Sequence, residues 1–253
     1  MRELCDGGMA ASEAAKVVLA THPEIFVAAS ADPQAEAKQR ILRAAERLDS
    51  EALDAELVQL GYASDALTLY ERVVSPLLSD VGNLWLSGSM SIAQEHFLSG
   101  RIEVMLRNAL AAVRPRQGPD VLLACITGEH HVIGLLGAAL QLSGWGARPI
   151  LLGADTPPEA VADAVQLRRP ALVGLSLTRT PARPKSLFAA YAAAMDGVPW
   201  IVGGDAADEI EPVVVAAGGL LASPRATSWH REVSERLRKS ERLPRTRLKE
   251  DKS

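Results

Sequence analysis

Cysteine and aromatic residues are scarce in this chain of 253 residues, which has two cysteines and 4% aromatic residues. Cys5 and Cys125 lie far apart in sequence and in different contexts. They therefore argue against a disulfide framework and favour a reducing compartment. The spacing of Cys and His that is typical of a structural zinc site is also missing. We therefore expect a cytoplasmic protein.

Long apolar runs and an excess of positive charge are missing as well. No run approaches the roughly twenty apolar residues of a membrane-spanning helix, and the N-terminus has no apolar core of a signal peptide. A net charge of −4 argues against a surface that coats nucleic acid. What is present is a globular balance of 48% hydrophobic and 23% charged residues. We expect a soluble chain of one large or two ordinary domains, without a membrane partner.

Helical periodicity dominates from residue 34 to about residue 113. Apolar residues recur at spacings of three and four, which predicts four or more helices packed as a bundle. Asp49 and Asp65 are expected to cap helices, Gly61 to end one, and the last helix is expected over 91–112. The apolar positions include Ile41, Ala45, Leu53, Leu57, Leu60, Leu69, Val73, Val74 and Leu77.

After a linker at 114–119, short runs rich in Val, Ile and Leu alternate with Ala-rich segments. This alternation predicts a parallel sheet covered by helices on both faces, of the flavodoxin-like order 2-1-3-4-5. The fold class is therefore expected to be all-α followed by α/β, a helical bundle and then a Rossmann-like domain. Strands are predicted at 121–126, 148–152, 171–177, 199–202 and about 219–222, and helices at about 132–143, 158–168, 184–195, 207–217 and 227–240.

A Glu-x-His-x-x-Gly motif follows the first predicted strand. His131 can bind a metal through one ring nitrogen, while Glu129 accepts a hydrogen bond from the other and fixes the tautomer. Gly134 would let a ligand pass close to the backbone. His130 is a rival for the ligand role, and only the spacing to Glu129 and Gly134 favours His131. The loop reads Gly128-Glu129-His130-His131-Val132-Ile133-Gly134.

Two further motifs, Ser176-Leu177-Thr178 and Gly203-Gly204, follow the third and fourth predicted strands. With the histidine motif, they resemble the family of domains in which cobalamin binds base-off with a histidine on cobalt. The resemblance covers about residues 119–240. It implies that His131 is the lower cobalt ligand and that the loop 128–134 contacts the corrinoid. It also implies that Ser176 and Thr178 line the slot for the displaced dimethylbenzimidazole tail, for which Gly203 and Gly204 make room. Thr178 stands where many relatives have Leu.

A second resemblance lies upstream, where Glu95-His96 follows Trp85 in a Trp-x9-Glu-His pattern. The pattern is similar to the helical cap of light-sensing cobalamin proteins of the CarH type, in the MerR family. It implies adenosylcobalamin as the cofactor, with these residues and Ile92 over its adenosyl face. A Trp and an Ile can pack against that group, and a Glu-His pair can hydrogen-bond it. CarH-type proteins have a histidine directly after this tryptophan, so Leu86 implies a different light product.

The resemblance also implies a domain organisation. Residues 1–30 contain a helix over 9–20 that resembles the end of a MerR-type DNA-binding domain. Residues 34–113 would form the cap, residues 119–240 the cobalamin-binding domain, and residues 241–253 a flexible tail. We therefore predict a light-sensing regulator, not an enzyme. It would form a dimer or tetramer, act through a protein partner in gene regulation, and not bind DNA directly by this chain alone.

Two other functions fit the same motifs. One is a corrinoid methyl carrier of a methyltransferase system, which would need an open upper face. The lid-like pattern of Trp85, Glu95 and His96 favours an adenosyl group over that reading. The other is a regulator that responds to cobalamin in the dark, and no residue of the chain excludes it.

Overall fold

The computed structural model describes residues 33–222, 233–235 and 237. The first part is helical, as the apolar spacing predicts. The predicted helix over 9–20 and the tail 241–253 lie outside the described residues. The helices are α1 (Pro33–Glu46), α2 (Ser50–Ala63), α3 (Ala66–Leu69), α4 (Ser75–Leu86) and α5 (Ile92–Val113), and a π-helical turn, Tyr70–Val74, joins α3 to α4.

The breaks between the first helices are set by aspartates. Asp49 accepts a hydrogen bond from the backbone N–H of Ala52 at 3.0 Å, and Asp65 caps α3 in the same manner. Both predicted caps are confirmed. The prediction that Gly61 ends a helix is wrong, since α2 continues to Ala63. Gly61 keeps helical backbone angles and has open space beside it. The helix α2 ends shortly before Asp65, which caps the next helix.

The second part is a five-stranded parallel sheet of order β2-β1-β3-β4-β5, as predicted. The predicted helix over 207–217 is divided, because Pro212 has no N–H with which to continue the preceding 3-10 turn, Asp208–Ile210. The strands are β1 (Asp120–Cys125), β2 (Arg148–Gly153), β3 (Leu172–Ser176), β4 (Trp200–Gly203) and β5 (Leu220–Ala222). The helices are α6 (Ile133–Gly144), α7 (Pro158–Arg168), α8 (Pro184–Ala194) and α9 (Glu211–Ala216).

Each face of the sheet has its own hydrophobic core. On one face, α7, α8 and α9 pack against the strands. The core of the other face is shared with the helical part, because α5 packs along α6 and the buried side chains of both continue into β1. Val233 and Leu237, from the segment where a last helix is predicted, are helical and belong to this core. Within the described residues, no helix has the length and apolar content of a membrane span.

Candidate functional site

The three sequence motifs of the sheet domain meet at the carboxyl ends of neighbouring strands. Cys125 at the end of β1 pairs with Ser176 at the end of β3, and Ser176 pairs with Gly203 at the end of β4. The loops that follow these residues therefore leave the sheet side by side. Such an edge is where open parallel sheets bind their ligands.

Glu129 is the buried centre of this edge, with 4% of its side chain exposed. Its Oε1 accepts hydrogen bonds from the backbone N–H of His131 at 2.8 Å and from Nδ1 of the same residue at 2.6 Å. Its Oε2 accepts from the backbone N–H of Thr178 at 2.5 Å and from the Thr178 hydroxyl at 2.7 Å. One carboxylate thus joins the loop after β1 to the loop after β3.

These hydrogen bonds keep Glu129 ionised. Burial raises the pKa of its carboxyl group, but the hydrogen bonds from Thr178 and His131 outweigh that effect and lower the pKa from 4.5 to about 2. An ionised carboxylate can only accept, so the proton of the imidazole must lie on Nδ1 of His131. Nε2 then carries the lone pair that a metal needs.

His131 is accessible to a ligand, whereas its partner Glu129 is not. The His131 side chain is 57% exposed, and its Nε2 has no hydrogen bond to a described residue. A Cβ built at Gly134, in the first turn of α6, would meet no atom within 4 Å. His130 is also exposed, but of the two histidines only His131 has a hydrogen bond to Glu129. The hydrogen bond is thus a second difference between the two histidines, besides the spacing that favours His131.

Cys125, at the end of β1, contacts the loop that carries His131. Its Sγ donates a weak hydrogen bond to the His131 carbonyl at 3.6 Å. Burial raises the pKa of the thiol to about 12, and the charge of Glu129 acts in the same direction. The side chain therefore stays a neutral thiol in the buried strand, as its sequence context predicts.

Asp155, in the loop after β2, is a supporting residue that the sequence analysis did not identify. Its Oδ1 accepts from the Gly128 N–H at 2.7 Å, and its own N–H donates to the Glu129 carbonyl at 2.8 Å. The residue has a left-handed backbone, with φ of 44°. The signal that could have revealed it is its position, since a polar residue in the loop that follows a strand of a parallel sheet lies at the ligand edge.

Tyr191 supports the two loops from the other face of the sheet. This fully buried tyrosine of α8 donates its hydroxyl to the Thr156 carbonyl at 2.6 Å and accepts from the Thr127 N–H at 2.9 Å. The loop after β1 and the loop after β2 are therefore held together by one phenol group. In the sequence, Tyr191 is surrounded by alanines and resembles any core aromatic residue, so no local pattern indicated this role.

The backbone geometry at the end of β4 explains the glycine pair Gly203-Gly204. Gly204 has φ of 110°, and a Cβ at this position would lie 2.0 Å from the Leu177 carbonyl oxygen. Only glycine therefore lets the end of β4 approach the loop that carries Thr178. A Cβ at Gly203 would only touch Ala222, at 3.4 Å. Ser176 lies buried at the end of β3 between the two motifs.

The cap motif forms an exposed cluster where α4 turns into α5. Trp85 lies in the last turn of α4 and is 51% exposed, and Ile92 begins α5 and is 61% exposed. Glu95 accepts from Nδ1 of His96 at 2.6 Å and from the Ser99 hydroxyl. Within the described part of the chain, no hydrogen bond joins this cluster to the His131 loop.

Comparisons with known proteins match two separate parts of the chain. Residues 119–225 match a family model described as a B12 binding domain, and residues 37–108 match a second model with the same description. The repressor CarH of Myxococcus xanthus is 39% identical over 184 residues, which cover 70% of this chain and 62% of CarH. The repressor CarA of the same organism is 30% identical over 225 residues, which cover 87% of this chain and 74% of CarA.

The chain belongs to the CarH and CarA family. This confirms the resemblance seen in the motifs. The match covers less than two thirds of CarH, which is described as an HTH-type transcriptional repressor. CarA carries the same description.

A solved structure shows that the fold of this CarH-family chain also occurs outside the repressors. The monomethylamine corrinoid protein of Methanosarcina barkeri superposes with a TM-score of 0.61, at 18% identity. The superposition covers 78% of this chain and 98% of that protein. At this level of identity the likeness concerns the architecture, a helical bundle followed by a parallel sheet.

Proposed function

We propose that this chain is a cobalamin-binding regulator in which Nε2 of His131 is the lower cobalt ligand and the nucleotide base is displaced from the metal. The observation that carries the proposal is the hydrogen bond from Nδ1 of His131 to the buried, ionised Glu129. A carboxylate in this position orients the imidazole and makes it a stronger ligand.

The other residues of the edge fit a large flat ligand. The open space beside Gly134 leaves room for a substituent along α6, and Gly203 and Gly204 leave little side-chain bulk at the end of β4. We assign the tail slot to this region, bordered by Ser176. Thr178 has a hydrogen bond to Glu129 in addition, so it also positions the lower ligand. When bound, adenosylcobalamin supplies a cobalt–carbon bond that light can break.

We assign the exposed cap cluster to the adenosyl face of that cofactor. Trp85 and Ile92 offer exposed apolar surface, and Glu95 and His96 offer hydrogen-bonding groups beside it. A group that contacts both the cap and the sheet domain favours the arrangement in which both contacts are made. Its loss would release the cap and change the contacts between subunits of a dimer or tetramer. The repressor names of the two relatives support regulation as the output.

The lower ligand is tested by His131→Ala, with His130→Ala as the matched control. Each protein is purified in the dark with adenosylcobalamin, and the absorbance spectrum and affinity are measured. We expect His131→Ala to lose the base-off, histidine-on spectrum and to bind at least about tenfold more weakly, a typical effect of disturbing a metal site. His130→Ala should match the wild type. An unchanged spectrum for His131→Ala would refute the assignment.

Light sensing is tested on the same dark preparation. Absorbance and molecular mass in solution are recorded before and after green light. We expect both to change, because release of the adenosyl group should alter the cap and the subunit contacts. A preparation that binds adenosylcobalamin but shows neither change would favour a dark regulator or a methyl carrier.

A further inference from the structure

Tyr70 of the helical part packs directly on a glycine of the sheet domain. A Cβ built at Gly137 of α6 would lie 1.9 Å from Cζ of Tyr70 and within 2.4 Å of the two neighbouring ring carbons. The position must therefore be glycine to admit the ring. The closest ring atom is the carbon that bears the hydroxyl group, so the polar end of Tyr70 lies against α6.

The Tyr70 hydroxyl lies close to Gly134, the position of α6 that has open space beside it. Gly134 is three residues before Gly137, so the two glycines share a face and are separated by about 4.5 Å along the helix axis. Space beside Gly137 is filled by Tyr70, whereas space beside Gly134 is empty. The tail slot proposed above therefore ends at the Tyr70 ring.

The Tyr70 side chain is partly buried, and its hydroxyl has no hydrogen-bond partner among the described residues. Burial raises the pKa of the phenol, and the negative charge of Asp205 adds to the effect. The group is thus a protonated donor at neutral pH. Asp205 directly follows Gly204, in the loop after β4.

The backbone at Tyr70 is also unusual, because this residue begins the π-helical turn Tyr70–Val74. A π-turn inserts an extra residue into a helix and shifts the direction of the side chains that follow it. Val73 and Val74 in the turn are buried in the core of the cap, while Tyr70 reaches α6. The turn thus lets one short segment serve both the cap core and the edge of the slot.

We propose that Tyr70 binds the nucleotide tail of the corrinoid, with its hydroxyl donating a hydrogen bond to a polar atom of that tail. The proposal rests on the proposed function, since it requires a displaced tail beside Gly134. It makes a residue of the helical part a specificity determinant for complete cobalamin over corrinoids without a tail. The tail would supply the acceptor that no residue in the described part of the chain supplies.

The test compares cobalamin with cobinamide, which has the corrin but no nucleotide tail. Dissociation constants of the full chain are measured by absorbance titration for the wild type, Tyr70→Phe and Tyr62→Phe. Tyr62 is 89% exposed in α2 and serves as the matched control. Tyr70→Phe removes only the hydroxyl, so the ring contact with Gly137 is kept. We expect it to bind cobalamin about three- to tenfold more weakly, as for one lost hydrogen bond, and cobinamide unchanged.

Two results would overturn the role of Tyr70. In the first, Tyr70→Phe weakens cobalamin and cobinamide equally, which indicates a purely structural contact. In the second, it affects neither corrinoid. Failure of the proposed function would give a different result. The wild type would then bind neither corrinoid, or it would bind both without dependence on His131. The proposal for Tyr70 would be refuted at the same time.

Discussion

At the scale of single residues, Glu129 determines the orientation and the tautomer of His131. An exposed imidazole on a loop can rotate and exchange its proton between two nitrogens, and both freedoms weaken it as a ligand. Four hydrogen bonds fix the carboxylate, and the carboxylate in turn fixes the ring and its tautomer. Thr178, expected only to line the tail slot, contributes two of those bonds.

The first prediction concerns the stability that Glu129 contributes. Its pKa is lowered from 4.5 to about 2 on folding, which corresponds to about 3 kcal/mol of unfolding free energy. Because the folded pKa is the lower one, this contribution is fully present above about pH 4.5 and is lost as the pH falls toward 2. Glu129→Gln should therefore be about 2–3 kcal/mol less stable than the wild type at pH 7, measured by urea unfolding.

The pH dependence separates this electrostatic effect from a packing defect. The difference between the wild type and Glu129→Gln should stay constant from pH 7 to about 5 and shrink below that. Thr178→Val is the graded control, since it removes the hydroxyl but keeps the backbone N–H bond, and should lose about 1 kcal/mol. A difference that is the same at pH 3 as at pH 7 would contradict the assignment.

At the scale of elements, the sheet could be predicted because its signals are local. Each strand is a short apolar run, helical segments separate the runs, and right-handed crossovers leave few possible strand orders. The caps at Asp49 and Asp65 were equally local. The π-turn was not visible, because the spacing of Leu69, Val73 and Val74 suits an ordinary helix. Contacts between distant segments, such as Tyr191 with two loops, leave no local signal at all.

The second prediction concerns the turn after β4. Gly204→Ala places a methyl group 2.0 Å from the Leu177 carbonyl at a φ of 110°, so the strand end must move. We expect a loss of about 3 kcal/mol or more in unfolding free energy. Gly218→Ala is the matched control, because it has φ of 87° but nothing within 4 Å, and should lose only about 1 kcal/mol from the backbone conformation. Equal losses in thermal or urea unfolding would show that the close approach is relieved without strain.

At the scale of the whole molecule, the helical part and the sheet are joined by one core. Buried hydrophobic side chains form one continuous cluster that runs from α1 and α2 through α5 to α6 and on to β1 and β3. The two B12-binding matches thus describe parts that share a hydrophobic interior. A change in the position of one part relative to the other would therefore alter the packing of α5 and of Tyr70 on α6.

The third prediction follows from that shared core. Leu106 of α5 is fully buried, and Leu106→Ala should lower the unfolding free energy by about 2–5 kcal/mol. If cap and sheet unfold as one unit, amide hydrogen exchange should accelerate in β1 and β3 as much as in α5. Val104→Ala, on the same helix but 58% exposed, should leave both regions unchanged. Faster exchange confined to residues 33–113 would instead mean that the cap opens by itself while the sheet stays folded.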